Sequence, residues 1–443
     1  MLLLRNGYII DPASGTEGYG DILIEDGKIA RIVSQGASGM AETKEIGNSG
    51  TVQDKAKLES TEEIDLNGQY IAPGLVDVHV HFRDPGFTYK EDIYTGAKAA
   101  AKGGFTTVVL MANTKPAVDN PETLSYVLDK GKETDIHIHT CANVTKGLQG
   151  KELTDMETLS NLGAAGFTDD GIPLMDEGLL RAALQRAAKC NKPVSLHEEN
   201  PNLITNNGIN AGKAAAHFGV GGSPREAEIS MVERDIRIAM EEEADLAIQH
   251  ISTKEAVELV RQAKKKSRHI YAEATPHHFT LTEDAVIEHG TLAKMNPPLR
   301  EEADRMAIID GLKDGTIDMI ATDHAPHSVE EKEKTLTEAP SGIIGLETSL
   351  SLGIRELVNK GYLSMSELIC KMSYAPAKLY HLNAGYLAEG GPADLVVFDP
   401  HKEWVVETFA SKAINSPFVG ETMPGVISYT ICGGKIVYCN KSE

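Results

Sequence analysis

Short apolar runs alternate with longer helix-like stretches along most of the chain. Between residues 75 and 323, eight such runs read as strands: 75–82, 106–111, 136–143, 165–169, 194–198, 246–251, 270–274 and 317–322. Helix-like segments lie between them. One, 94–102, stops at Gly103-Gly104, as a helix C-terminus does. Eight strand–helix units over about 250 residues predict an α/β fold, a (β/α)8 TIM-like barrel.

The two ends of the chain follow a different rhythm. Runs 2–5 and 8–10 flank Asn6-Gly7, and runs 21–25 and 28–33 flank Asp26-Gly27, so both dipeptides predict hairpins. Residues 34–63 are polar and Gly/Ser-rich and read as a surface insertion. After a helical stretch at 366–380 come strand-like runs at 394–398, 404–406, 429–432 and 435–438, the last two flanking Gly433-Gly434. The expected organisation is a small β-sandwich domain built from both ends, residues 1–72 (with the insertion 34–63) and 385–443. The barrel, 73–384, sits between them.

Composition narrows the choice of function. Among 443 residues, 43 Lys and Arg face 65 Asp and Glu, a net charge of −22, which argues against nucleic acid or an anionic membrane as partner. Cys141, Cys190, Cys370, Cys432 and Cys439 form no CxxC pair and read as reduced thiols of a cytoplasmic protein. The opening run MLLLRNGYIIDP is broken by Arg5 and Asp11 and reads as a strand, not a signal peptide. No apolar run reaches the roughly 18 residues that a membrane span requires.

The sharpest chemistry is His79-Val80-His81 at the end of the first barrel strand. Residues two apart on a strand share a face, so both imidazoles can meet one metal ion. Alone, the pair could equally be two surface histidines on an edge strand. Other strand ends also carry ligand types: Asp169-Asp170 after strand four, His197 on strand five, His250 on strand six and Asp323 on strand eight. Each has a dull reading as a turn or a satisfied polar tip. Gathered at the barrel end where active sites form, they make a nitrogen and oxygen set suited to zinc or a similar divalent ion. By alternation Arg83 shares the HxH face, and its guanidinium can grip a carboxylate in two-pronged fashion.

These residues, with the stretches PGLVDVHVHFRDPG, GGFTTVVLMANTKP, FTDDG, ATPHHF, KMNPPLR and ATDHAPH, resemble the amidohydrolase superfamily and, within it, the bacterial type I dihydroorotases. The resemblance runs from the first strands to the last and misses mainly 34–63. It implies two Zn2+ ions per subunit: His79, His81, Asp170 and Asp323 hold one and Asp170, His197 and His250 the other, with Asp170 and a hydroxide bridging them. It implies that Asp323 is the catalytic acid and base. It implies that His81, Arg83, Asn113, Asn296 and His327 contact substrate, with Gly342 a weaker candidate. The activity implied is reversible cyclisation of N-carbamoyl-L-aspartate to L-dihydroorotate, a step of de novo pyrimidine (UMP) synthesis.

Other readings stay open on the sequence. An allantoinase or dihydropyrimidinase would use a carboxylated lysine at the end of strand four, where this chain has Phe167-Thr168-Asp169-Asp170-Gly171. A non-catalytic barrel could serve as an assembly partner of aspartate carbamoyltransferase, although such proteins lose ligands and every ligand position here is filled. An active enzyme could also associate with that protein, or form a homodimer, for which the sequence carries no interface signature. The chain departs from the family at Ala112 and at Ser341 within Pro340-Ser341-Gly342. The polar segment 328–339 reads as either a closing loop or a fixed surface loop. His277, His278 and His324 read as supporting residues, and His137 and His139, at the far end of the barrel, as structural.

Overall fold

A computed structural model describes residues 1–34 and 61–440. The polar insertion expected at 34–63 therefore lies largely outside the described residues, but its edges do not fit the expectation. Ser34 ends strand β3 and Glu62–Asp65 forms a strand paired in parallel with the first.

Strands β1 (Leu2–Asp11), β2 (Thr16–Glu25), β3 (Lys28–Ser34), β4 (Glu62–Asp65) and β5 (Tyr70–Pro73) come from the N-terminal end. They join the C-terminal strands β13 (Leu395–Val405), β14 (Thr422–Cys432) and β15 (Lys435–Cys439) in one eight-stranded sheet ordered β15-β14-β13-β5-β1-β2-β3, with β4 alongside β1. Its strands enclose a core of their own that includes Leu4, Ile22, Ile71, Leu395 and Ile431. Asp26-Gly27 and Gly433-Gly434 are hairpin turns, as expected. Asn6-Gly7 is not. There β1 runs straight through, with Asn6 at φ 55° and the register slipping between Leu4 and Gly7, so the dipeptide forms a bulge.

The barrel strands are β6 (Leu75–Val80), β7 (Phe105–Leu110), β8 (His137–Thr140), β9 (Val194–Leu196), β10 (Leu246–Ile248), β11 (Ile270–Ala274) and β12 (Met319–Ile320). All pair in parallel, β6-β7-β8 on one side and β9-β10-β11-β12 on the other. The strand expected at 165–169 is reduced to Phe167, which bridges Ala142 on one flank and Val194 on the other. The ring closes where Val80 bridges His324 and the His81 amide donates to the His324 carbonyl at 2.9 Å. This is a TIM-like barrel with a β-sandwich domain beside it.

Inside the ring, Val76, Val78, Val109, Met111, Ala247 and Met319 pack with the fully buried Tyr380. Val80, two positions beyond Val78, belongs instead to the core under the helices, and the β6–β7 register slips between Asp77 and Val80. That slip turns His79 and His81 inward after two inward valines. Helix Ile93–Lys102 shows how the outer layer docks. Asp92 caps its start, its alanine face is buried, and Gly103 ends it where a Cβ would lie 2.3 Å from the Leu346 carbonyl oxygen.

Candidate metal centre and active site

Six side chains from five places in the ring converge at its C-terminal mouth. His79 Nε2 lies 3.6 Å from both Asp170 Oδ1 and Asp323 Oδ1. His81 Nε2 is 3.0 Å from Asp323 Oδ1 and 3.4 Å from Asp170 Oδ2. His250 Nε2 sits 3.0 Å from His197 Nδ1 and 3.9 Å from Asp170 Oδ1. All six are buried. Within this cluster two groups of donors each fall within 4.8 Å: His79, His81 and Asp170, and then Asp170, His197 and His250. Asp170 belongs to both.

These separations fit metal ligands. Two donors held at about 2.1 Å on a tetrahedral ion stand roughly 3.4 Å apart. Among the described residues His79 Nε2 is buried without a hydrogen-bond partner although two carboxylates face it, a placement that an ion between them would satisfy. The charges agree. Burial opposes a charged His79, yet the carboxylates of Glu273 and Asp170 prevail and hold its pKa well above the usual histidine value. Burial likewise opposes ionised Asp323, but the His81 hydrogen bond and the charges of His79 and His81 hold its carboxyl well below the ordinary range. Asp170 is depressed in the same way, against burial, by the charge of His79 and by its histidine hydrogen bonds. The cluster is thus an ionised, cation-seeking set.

The expected substrate contacts border a cavity of about 340 Å³ directly above these ligands. His81, Arg83, Asn113, Asn296, His327 and Gly342 all line it. Arg83 arrives by another route than alternation. Strand β6 ends at Val80, and Arg83 has φ 59°, with its Nε donating to the Pro326 carbonyl at 3.2 Å. Asn113 holds two of the candidate ligands, its Oδ1 3.1 Å from His81 Nδ1 and its Nδ2 donating to Asp170 Oδ2 at 2.9 Å. Asn296 Nδ2 is 3.3 Å from His197 Nε2, and its Oδ1 is buried without a partner among the described residues. His327 holds the Ser341 carbonyl through Nε2 at 2.8 Å and meets Lys90 Nζ through Nδ1 at 3.3 Å. Gly342 has φ 110°, and a Cβ there would lie 2.6 Å from Ala325 Cβ.

The family sequence profile described as "Amidohydrolase family" matches residues 70–437. The chain belongs to the amidohydrolase family. Among its curated relatives, a dihydroorotase of Clostridioides difficile strain 630 is 53% identical, the match covering 99% of this chain and 100% of the relative. A dihydroorotase of Lactococcus lactis strain IL1403 is 51% identical over 99% of both chains. Among solved structures, the L-hydantoinase (dihydropyrimidinase) from Arthrobacter aurescens superposes with a TM-score of 0.86 at 26% identity, covering 100% of this chain and 96% of that one. This amidohydrolase is therefore an enzyme of the cyclic-amide class with a small-molecule substrate, and its His/Asp cluster provides groups that could hold metal. Among the described residues, no helix is long and apolar enough to cross a membrane.

Several supporting residues of this amidohydrolase escape a reading of the sequence. Glu273, on β11, accepts from His79 Nδ1 at 2.5 Å and from the His250 amide at 3.2 Å. A carboxylate behind a ligating imidazole fixes its tautomer and raises its basicity. Glu199 stands 3.3 Å from His197 Nε2, and Glu91 3.5 Å from His324 Nε2. The signal for Glu273 was present, a lone carboxylate in the buried run IYAEA. His278 is held by Thr275 Oγ1 at 2.7 Å and the Pro297 carbonyl at 3.0 Å, a supporting place. Asp169 accepts the Val144 and Thr145 amides and is structural. His137 pairs with Asp394 at 3.0 Å, tying the barrel to the sheet domain.

Proposed function

We propose that this amidohydrolase is a dihydroorotase, interconverting N-carbamoyl-L-aspartate and L-dihydroorotate in pyrimidine synthesis. The observation that carries this reading is the full-length identity, 53% and 51%, with two dihydroorotases. The cavity supports it. Arg83 offers a guanidinium for the substrate carboxylate, and Asn296 Oδ1, without a partner among the described residues, can accept from a ring N–H. Asp170, instead of a lysine, stands at the end of the fourth barrel segment.

His79, His81, Asp170 and Asp323 would hold one Zn2+ and Asp170, His197 and His250 a second, and metal held there would supply polarisation of the ring carbonyl and a lowered pKa of water. Asp323, ionised and beside His81, takes the proton of the water that attacks the ring carbonyl. It returns that proton to the amide nitrogen as the C–N bond breaks. In ring closure the same carboxylate removes a proton from the ureido nitrogen and delivers it to the departing oxygen. Asn113 keeps His81 and Asp170 in register, and Glu273 keeps His79. Arg83, with His327 and the 340–342 backbone, encloses the substrate.

The reading includes residues 73–384 as the hydrolase unit, a cytoplasmic location, and assembly as a homodimer or with aspartate carbamoyltransferase. Metal analysis joined to a dihydroorotate-opening assay tests its core. Purified protein is expected to carry two zinc ions per chain and to open the ring. Asp323→Asn, even when loaded with metal, should lose about 10²–10⁴-fold in kcat. Full activity in Asp323→Asn, or zinc-loaded wild type inert in both directions, contradicts the mechanism.

A further inference from the structure

Two lysines beside the cavity have no part in the mechanism above. Lys332 closes the short helix Val329–Lys332, and Lys294 precedes Met295-Asn296. Both are almost fully buried, at 5% and 4% exposure. Lys332 Nζ donates to the carbonyls of Pro340 at 2.9 Å and Gly342 at 3.0 Å. Lys294 Nζ donates to the Ala339 carbonyl at 2.7 Å, while its own carbonyl accepts the Gly342 amide at 2.8 Å. Ala339, Pro340, Ser341, Gly342 and Lys294 all line the cavity. The two ammonium groups thus hold one whole wall of the pocket by its backbone.

Neither lysine forms an ion pair among the described residues, which is costly for a buried charge. Carbonyl dipoles solvate these cations without neutralising them. Glu331, next to Lys332 in sequence, is engaged by Lys90 at 2.8 Å and by the Tyr89 hydroxyl at 2.9 Å. Burial, helped by the charge of Lys294, pushes the Lys332 pKa down to about 7, so without a counter-ion the group holds its proton only in part near neutrality and a bound anion favours the charged form. Arg83 and His327 stand on the same cavity, Arg83 adding a third cationic side chain on this side of it, while the carboxylates Asp170 and Asp323 lie in the candidate metal cluster. An anion entering the pocket supplies the missing charge.

We infer that Lys294 and Lys332 are positioning residues that fix the 339–342 wall by its carbonyls and supply the uncompensated positive charge that selects a cyclic amide bearing a carboxylate. The inference rests on the dihydroorotase reading and adds the origin of its preference for an anion. The test compares kcat and KM for L-dihydroorotate in metal-loaded wild type, Lys332→Met, Lys294→Met, Lys332→Gln and Lys332→Arg, with folding checked by circular dichroism. Each Met variant is expected to raise KM about tenfold while kcat stays within roughly threefold, the size of one lost charged hydrogen bond. Lys332→Arg should restore most of the affinity. Lys332→Gln keeps a donor to the carbonyls but removes the charge, and it too should raise KM. Wild-type KM in folded Met or Gln variants, or an Arg variant no better than Met, overturns the inference. Wild type inactive on dihydroorotate would instead overturn the activity reading, and this inference with it.

Discussion

Glu273 and His79 are separated by 194 positions in the chain and by 2.5 Å in space. Removing the carboxylate should leave His79 in place but free to rotate and less basic. Glu273→Gln is therefore expected to weaken metal binding about 10–100-fold. Competition with a chromophoric chelator measures this, and unchanged affinity would assign Glu273 to packing alone. The candidate ligands were legible as a group because a histidine or aspartate ending an apolar run breaks its pattern. Their partners were not. A glutamate in IYAEA has the look of ordinary alternation, and only ring closure reveals what it faces. Lys294 and Lys332 were hidden for the same reason: in a sequence, a lysine in a polar loop looks solvated, and its burial depends on carbonyls from 339–342.

At the scale of elements, periodicity located all the barrel strands but overstated the fourth. That segment needs only Phe167 to bridge its neighbours, because Asp169 and Asp170 leave the ladder at once to serve a loop and the ligand cluster. Asn6-Gly7 shows a different limit. A dipeptide that tolerates a left-handed backbone suits a bulge as well as a hairpin, and the choice depends on the strand alongside. Gly103 carries a firmer consequence. A methyl group there would press on the Leu346 carbonyl oxygen at 2.3 Å, at the junction of a barrel helix with the next layer. Gly103→Ala should lower stability by about 1–3 kcal/mol in urea unfolding. An unchanged midpoint would mean that the helix end can shift freely.

Across the whole molecule, the charge of −22 describes the outer surface and not the pocket. Arg83, Lys90, Lys294 and Lys332 gather around a cavity whose floor is a carboxylate and histidine cluster ready for divalent cations. That floor joins the two halves of the barrel, since its ligands come from β6 and the fourth segment as well as from beyond β9, β10 and β12. Metal should therefore stabilise the entire fold. Ligand at 1,000 times its dissociation constant contributes about 4 kcal/mol, so chelation is expected to lower the melting temperature by several degrees and metal return to restore it. Equal melting of the two forms would show that the site is not coupled to folding.

A dihydroorotase must open, in this cavity, a cyclic amide bearing a carboxylate. The direct measurement is kcat/KM for L-dihydroorotate and for dihydrouracil, the same ring without the carboxylate, on one metal-loaded preparation. A lost charge-assisted contact is worth about 1.5–3 kcal/mol, so a preference for dihydroorotate of roughly 10- to 10²-fold is expected. Equal rates on the two rings, or faster opening of dihydrouracil, would contradict it.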